Sequence, residues 1–248
     1  MFNYFVTGWC IFAVALIPVL LKITAPYGRH TREGWGIMIN NTLGWVLMEI
    51  PSPICFLITF FWLDTPKSIF NYFFLFLWLL HYINRSFVFP LRYPNKNKKM
   101  PLSIALNAIF FNLVNGSING YFFGVVQPFY AENYWFQWNF ILGISLFFIG
   151  FIINIQSDNI LMKLRKPGET GYKIPYGGMF KFISAPNYFG EILEWFGFAL
   201  AAWSLPSLSF AIWTFANLAP RAITNHQWYL NKFPDYPKER KALIPFLK

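Results

Sequence analysis

Charge is scarce in this chain. Only 12% of its 248 residues are Asp, Glu, Lys or Arg, where a soluble domain carries about a quarter, so an ordinary soluble globule is excluded. Cysteine is nearly absent. Cys10 and Cys55 each lie inside an apolar run with no C-x-x-C around them, so they read as buried thiols rather than as a disulfide framework. His30, His81 and His226 are scattered, with no H-E-x-x-H or other ligand spacing, so no metal site is expected. The sequence has no G-x-G-x-x-G after a strand-like run and no Walker loop, which excludes Rossmann and P-loop nucleotide domains. It has no G-x-S-x-G and no serine with arranged His and Asp partners, which argues against nucleophilic hydrolysis. No internal repeat or low-complexity tract appears, and residues 1–248 read as a single membrane-embedded domain. The first apolar run has no basic residue before Lys22, so it lacks the basic start of a signal peptide and reads as a retained span.

What fills the chain instead is apolar and aromatic, at 56% and 22%. Runs of the length that crosses a bilayer, about 20 residues, fall at 4–23, 36–62, 68–91, 102–126, 138–161, 187–204 and 206–226. An all-α integral membrane protein of seven transmembrane helices is expected. Its basic residues are unevenly divided. Arg29 and Arg32 lie in the first loop, Arg92, Lys96, Lys98 and Lys99 in the third, and Lys163, Arg165, Lys166, Lys173 and Lys181 in the fifth. Arg221, Lys232, Lys238, Arg240, Lys241 and Lys248 lie toward the C-terminus, while the even-numbered loops hold only Lys67. The positive-inside rule places the odd loops and the C-terminus in the cytoplasm and the N-terminus on the outer or lumenal side. The net charge of +10 therefore gathers on one membrane face. Topology and anionic lipid account for such a face, as does an anionic ligand bound there; nucleic acid is not called for.

Ionisable groups inside spans are costly and mark function unless they are paired or line a cavity. Glu49, Arg85, Glu191 and Glu194 lie within runs, with Asp158 and Arg221 near run ends. Asn154, Asp158 and Arg165 follow one helical stripe, Asn187 and Glu191 share a face, and Asn217, Arg221, Asn225 and Tyr229 recur at steps of four. Interhelical hydrogen-bond glue explains any single one of these asparagines, but the set reads as three stripes facing one cytoplasm-side polar cavity. Glu49, in WVLMEIPSP, precedes Pro51 and Pro53, which break or kink a helix. Tyr82, in LLHYINR, has Arg85 one turn on. An isolated carboxyl in so apolar a span stays protonated and can donate a hydrogen bond, and beside a phenol it can polarise a carbonyl oxygen.

Three stretches resemble a known family: LRKPGETGYKIPYGG, NYFGEILEWFGFALAAWSLP and DYPKERKALIPF. More thinly, so do HYINRSFVFPL, NGSINGYFFG and GWVLMEIPSP. Together they resemble the steroid 5α-reductases, or 3-oxo-5α-steroid 4-dehydrogenases, over most of the chain beyond about residue 35. The resemblance implies NADPH-dependent reduction of a 3-oxo-4-ene steroid in a seven-helix membrane fold, with most of the cofactor site in about 138–248. By motif, it assigns the cofactor to Asn154, Asp158, Arg165, Tyr172, Asn187, Glu191, Arg221, Asn225 and Tyr229, with Arg85 and the basic third loop assisting. It assigns Glu49 and Tyr82 to the 3-keto oxygen of the substrate, as catalytic donors. The segment after Leu164, ended as a helix by Pro167 and Gly168, reads as a cover over the cofactor. A monomer in a bacterial inner membrane or the endoplasmic reticulum is implied, with membrane lipid, a steroid or other hydrophobic enone as partners, and no metal.

The sequence departs from the family at Met48, where some relatives have Gln, and at Asn225, Lys96 and Phe89, where His, Arg and Tyr occur. These departures bear on substrate preference and cofactor affinity. Other readings are reduction of another conjugated double bond, as in an enoyl thioester or a polyprenal, methyl transfer from S-adenosylmethionine to a lipid-linked acceptor, and non-catalytic sterol binding.

Overall fold

The computed structural model describes residues 1–93, 95, 97–127, 130–165, 169 and 171–247. Lys96, and the Lys166, Pro167 and Gly168 of the expected cover segment, lie outside the described residues. Among the described residues the regular structure is helical apart from one two-stranded sheet. In chain order its elements are α1 (Phe2–Lys22), β1 (Met38–Asn40), α2 (Asn41–Glu49), α3 (Pro51–Phe60), α4 (Ile69–Ile83), α5 (Phe89–Arg92), β2 (Lys99–Pro101), α6 (Leu102–Tyr121), α7 (Trp138–Lys163), α8 (Pro186–Ala202) and α9 (Leu205–Lys232). Wider turns at Asn84–Val88 and Phe122–Val126 continue α4 and α6. Among the described residues, five stretches are long and apolar enough to cross a membrane: Phe2–Lys22, Asn41–Phe60, Ile69–Arg92, Leu102–Val126 and Trp138–Lys163. The protein is a multi-pass, helical membrane protein. Large apolar side chains such as Phe5, Ile11, Val14 and Val19 on α1 are exposed, as lipid-facing positions require.

The helix boundaries have local causes. Pro51 and Pro53 lack the amide protons that would bond the Leu47 and Glu49 carbonyls, so the helix is interrupted at Ile50, immediately after Glu49. The side chains of Ser68 and Asn71 form a capping box that starts α4. One small sheet interrupts the all-α expectation: β1 and β2 pair antiparallel with Met38 opposite Pro101, joining the first and third loops. Strands of three residues carry no alternation that a sequence could show. α7 ends at Lys163 with Leu164 as its cap, so Arg165 lies past the helix, not on its stripe as expected.

The chain divides into two compact units, Ala25–Trp135 and Met1–Thr24 with Phe136–Lys248. In the first, α6 packs on α3 through a four-residue glycine stripe. A Cβ at Gly116 would meet the Ser52 carbonyl at 2.5 Å, and one at Gly120 would meet the Phe56 Cα at 2.7 Å. Aromatic rings fill the rest of this unit, with Phe74 stacked on Phe123 at 4.9 Å and Trp78 on Tyr82 at 5.3 Å.

In the second unit the seam lies between α7 and α8, and its glycines recur every seven residues on both helices. A Cβ at Gly190 would meet the Asn154 nitrogen at 2.6 Å, and one at Gly197 would meet the Gly143 carbonyl at 2.6 Å. α1 packs on α9, with Trp9 on Trp213 at 4.5 Å. Because backbone faces backbone at the seam, no flexible side chain can give way. Gly197→Ala should therefore lower stability by about 1–3 kcal/mol, the usual cost of overpacking, seen as a lower thermal unfolding midpoint in detergent. Gly8→Ala, with nothing within 4 Å of its Cβ, should leave the midpoint unchanged or raise it.

Candidate active site

The break after Glu49 and the close approach of α6 to α3 together build a polar cluster in the Ala25–Trp135 unit. Asn112 sits one step of the glycine stripe before Gly116, and its buried amide reaches three groups. Its Nδ2 donates to the Met48 carbonyl at 2.6 Å and to Glu49 Oε2 at 3.3 Å. Its Oδ1 accepts from the Tyr82 hydroxyl at 3.2 Å. One amide thus gathers both residues expected at a substrate carbonyl.

Glu49 is not the isolated carboxyl that the sequence suggested. Arg85 Nε lies 3.9 Å from its Oε1, both side chains being largely buried. The Arg85 guanidinium also lies over the rings of Trp45 and Phe89, at 4.7 and 5.0 Å, which supplies cation–π attraction in a desolvated setting. The structure therefore places Arg85 beside the Glu49 carboxyl. Of the departing residues, Met48 packs against Met100 and Ala105, and Phe89 meets Trp45 edge-on at 5.4 Å.

Four of the nine other expected residues meet across the α7–α8 seam. Asn154 Nδ2 donates to the Asn187 carbonyl at 2.9 Å and lies 3.5 Å from Glu191 Oε2. Asn187 Nδ2 donates to Asp158 Oδ1 at 3.1 Å. Arg221 is buried on α9 and its Nε donates to the Tyr188 hydroxyl at 3.1 Å. Asn225 and Tyr229 follow it, buried on the same helix. Asn217, expected on that stripe, is exposed, because steps of four residues advance about 40° around a helix each time. Arg165 lies over the Tyr172 ring at 5.0 Å, and that ring meets Trp228 edge-on at 5.0 Å.

Amides, carboxylates and guanidinium groups set among aromatic rings match the chemistry of a dinucleotide. Carboxylates and amides can pair with ribose hydroxyls and a carboxamide, and arginine forks can bind phosphate. Among the described residues, no three His, Cys, Asp or Glu side chains lie together so as to hold a metal ion.

Residues 98–248 match the family model described as 3-oxo-5-alpha-steroid 4-dehydrogenase. The chain belongs to that family. Steroid 5-alpha-reductase of Gossypium hirsutum is 40% identical, over 100% of this chain and 97% of the relative. The Arabidopsis thaliana steroid 5-alpha-reductase is 41% identical over 96% of this chain and 93% of its own length. Human 3-oxo-5-alpha-steroid 4-dehydrogenase 1 is 41% identical over 89% and 85%. The chain is thus an enzyme of the steroid 5α-reductase family, related to plant and mammalian members over nearly its whole length.

Sequence reasoning missed Asn112. Asn112, Asn115 and Asn119 all interrupt one apolar helix, and that excess of amides was a signal. Asn115 and Asn119 donate to carbonyls of their own helix, whereas Asn112 reaches across to α2 and α4. Asn112→Leu, nearly isosteric, strips the amide from Met48, Glu49 and Tyr82. It should cost about 1–3 kcal/mol of stability, visible as a lower unfolding midpoint in detergent.

Proposed function

We propose that the protein reduces the C4–C5 double bond of a 3-oxo-4-ene steroid to the 5α-reduced 3-oxosteroid, with NADPH as reductant. The observation that carries this reading is the sharing of one amide, Asn112, by Glu49 and Tyr82. The names of the relatives, steroid 5-alpha-reductase and 3-oxo-5-alpha-steroid 4-dehydrogenase, support the same chemistry.

NADPH, when bound, supplies a hydride for C5 of the enone. Asn154, Asp158, Asn187 and Glu191 would hold it through their amides and carboxyls, Arg165 and Arg221 through phosphate, and Tyr172, Asn225 and Tyr229 through ring and amide contacts. Arg85 serves the Glu49 cluster in this reading. As the double bond takes up the hydride, negative charge develops on the 3-oxo oxygen. This reading requires Glu49 in its acid form beside Arg85; that acid and Tyr82 then donate hydrogen bonds to that oxygen and stabilise the enolate, as oxyanion-hole donors do. For this the single Tyr82 proton turns from Asn112 Oδ1 to the carbonyl oxygen. Tautomerisation then returns a proton to C4 from water, and the ketone is restored.

Seven spans, an outer N-terminus and a cytoplasmic C-terminus complete the reading, as one membrane-embedded domain. Its support is the basic loops and two further helices, α8 of 17 residues and α9 of 28.

Glu49→Gln and Tyr82→Phe should each lower kcat for conversion of testosterone or progesterone with NADPH by about 10²–10³, the usual cost of removing one oxyanion donor. Unchanged turnover in both variants would overturn the assignment.

A further inference from the structure

The C-terminal tail resembles the family closely, yet none of the roles above uses it. Its contacts fall within the Met1–Thr24 and Phe136–Lys248 unit and converge on Ser184, just ahead of α8. Ser184 Oγ lies 2.6 Å from His226 Nδ1 and 2.7 Å from the Tyr236 hydroxyl. The Ser184 amide donates to the Lys241 carbonyl at 2.8 Å, and the Lys241 amide donates to the Phe182 carbonyl at 2.9 Å. Ser184 is buried at 3% exposure, as are Tyr236 and Arg240. One small hydroxyl thus ties α9, the tail and the chain entering α8.

The same tail reaches Tyr229 through a stack of rings. Tyr236 lies parallel to Tyr229, with centroids 5.0 Å apart and planes at 9°. The Arg240 guanidinium covers the Tyr236 ring at 5.2 Å and the Tyr176 ring at 4.9 Å, and its Nη1 donates to the Pro175 carbonyl at 2.9 Å. A side chain free to rotate loses about 1 kcal/mol or more of entropy when a ligand fixes it; a ring already held between neighbours does not.

We infer that Ser184 and Tyr236 are positioning residues, which hold Tyr229 and the first turn of α8 in the arrangement that NADPH binds. The inference rests on the cofactor reading above and names the device behind it. Ser184 stands next to Ala185, whose carbonyl accepts the amides of Tyr188 and Phe189 at 3.1 Å each. Those two bonds open α8, and Asn187 lies between them and Asp158. His226 adjoins Asn225 in sequence, so its bond to Ser184 fixes the rotation of α9 where Asn225 and Tyr229 face inward. A hydroxyl gives one proton and can accept two, so Ser184 can satisfy both partners whichever tautomer His226 adopts.

The test uses the purified full-length protein in detergent, as wild type, Ser184→Ala, Tyr236→Phe and Tyr236→Leu. Equilibrium binding of NADPH alone is read by nicotinamide fluorescence, amide exchange is read at Tyr188 and Phe189, and KM and kcat are read with testosterone. Ser184→Ala and Tyr236→Phe should each raise the NADPH Kd about three- to tenfold, one hydrogen bond's worth, and Tyr236→Leu should raise it further. Exchange at Tyr188 and Phe189 should quicken, and the loss should appear in KM for NADPH rather than in kcat. If the variants bind NADPH as the wild type does, even with a lower unfolding midpoint, the tail is a structural strap and the inference fails while the cofactor reading stands. A folded wild type that binds no NADPH would overturn the cofactor reading, and this inference with it.

Discussion

Between α7 and α8 nothing larger than a hydrogen atom fits at Gly143, Gly150, Gly190 and Gly197, and the polar network beyond depends on that contact. Lipid tails are as apolar as leucine, so helices in a bilayer gain little by hiding apolar surface from one another. They associate where backbones approach closely enough for dispersion and hydrogen bonding, which small residues permit. The seven-residue spacing of these glycines on both helices keeps a single register. Asn154 stands one helical turn beyond Gly150 and therefore faces Asn187 and Glu191. A slip of one residue would swing it about 100° around α7 and scatter the group.

The Ala25–Trp135 unit solves the same problem with a different period. Gly116, Gly120 and Gly124 on one side meet Ser52, Phe56 and Phe60 on the other, each at steps of four. Asn112 and Met48 are the next step back on the two stripes, and they are joined by a hydrogen bond of 2.6 Å. In each unit, then, a glycine stripe sets the helix spacing, and an asparagine one turn further on uses that spacing to reach across. The polar residues can be few because the backbones bring them close.

Much of this was legible in the sequence, for identifiable reasons. Long apolar runs set the helices to within a few residues, and Pro51 marked the break after Glu49. The α7–α8 group could be read because Asn154 with Asp158 and Asn187 with Glu191 keep helical spacing. Partners across helices were not legible. Four asparagines in α6 look alike, and only their rotation about the helix axis separates Asn112 from Asn107, Asn115 and Asn119. Arg85 could have served either cluster by sequence, and only the fold sets it against Glu49 and two aromatic faces. Arg165 was read as helical, but α7 stops at Lys163.

The lengths of two contacts to Glu49 bear on the proposed chemistry. A charge-assisted hydrogen bond runs to about 2.7–2.9 Å, and the contacts of Arg85 Nε with Glu49 Oε1 at 3.9 Å and of Asn112 Nδ2 with Oε2 at 3.3 Å are both longer. A buried ion pair of ideal geometry would be strong, and breaking it to admit a ligand would cost several kcal/mol. Here the guanidinium spends its faces on Trp45 and Phe89, which holds the cation near without locking it to the carboxyl. Contacts of this length keep Glu49 and Tyr82 oriented, and in the proposed reading a carbonyl oxygen competes with Asn112 Oδ1 for the Tyr82 proton. A site that must polarise a ketone at one stage and release it at the next needs donors held in place and bound weakly. In the proposed reading one shared amide and a cation resting on aromatic rings supply both.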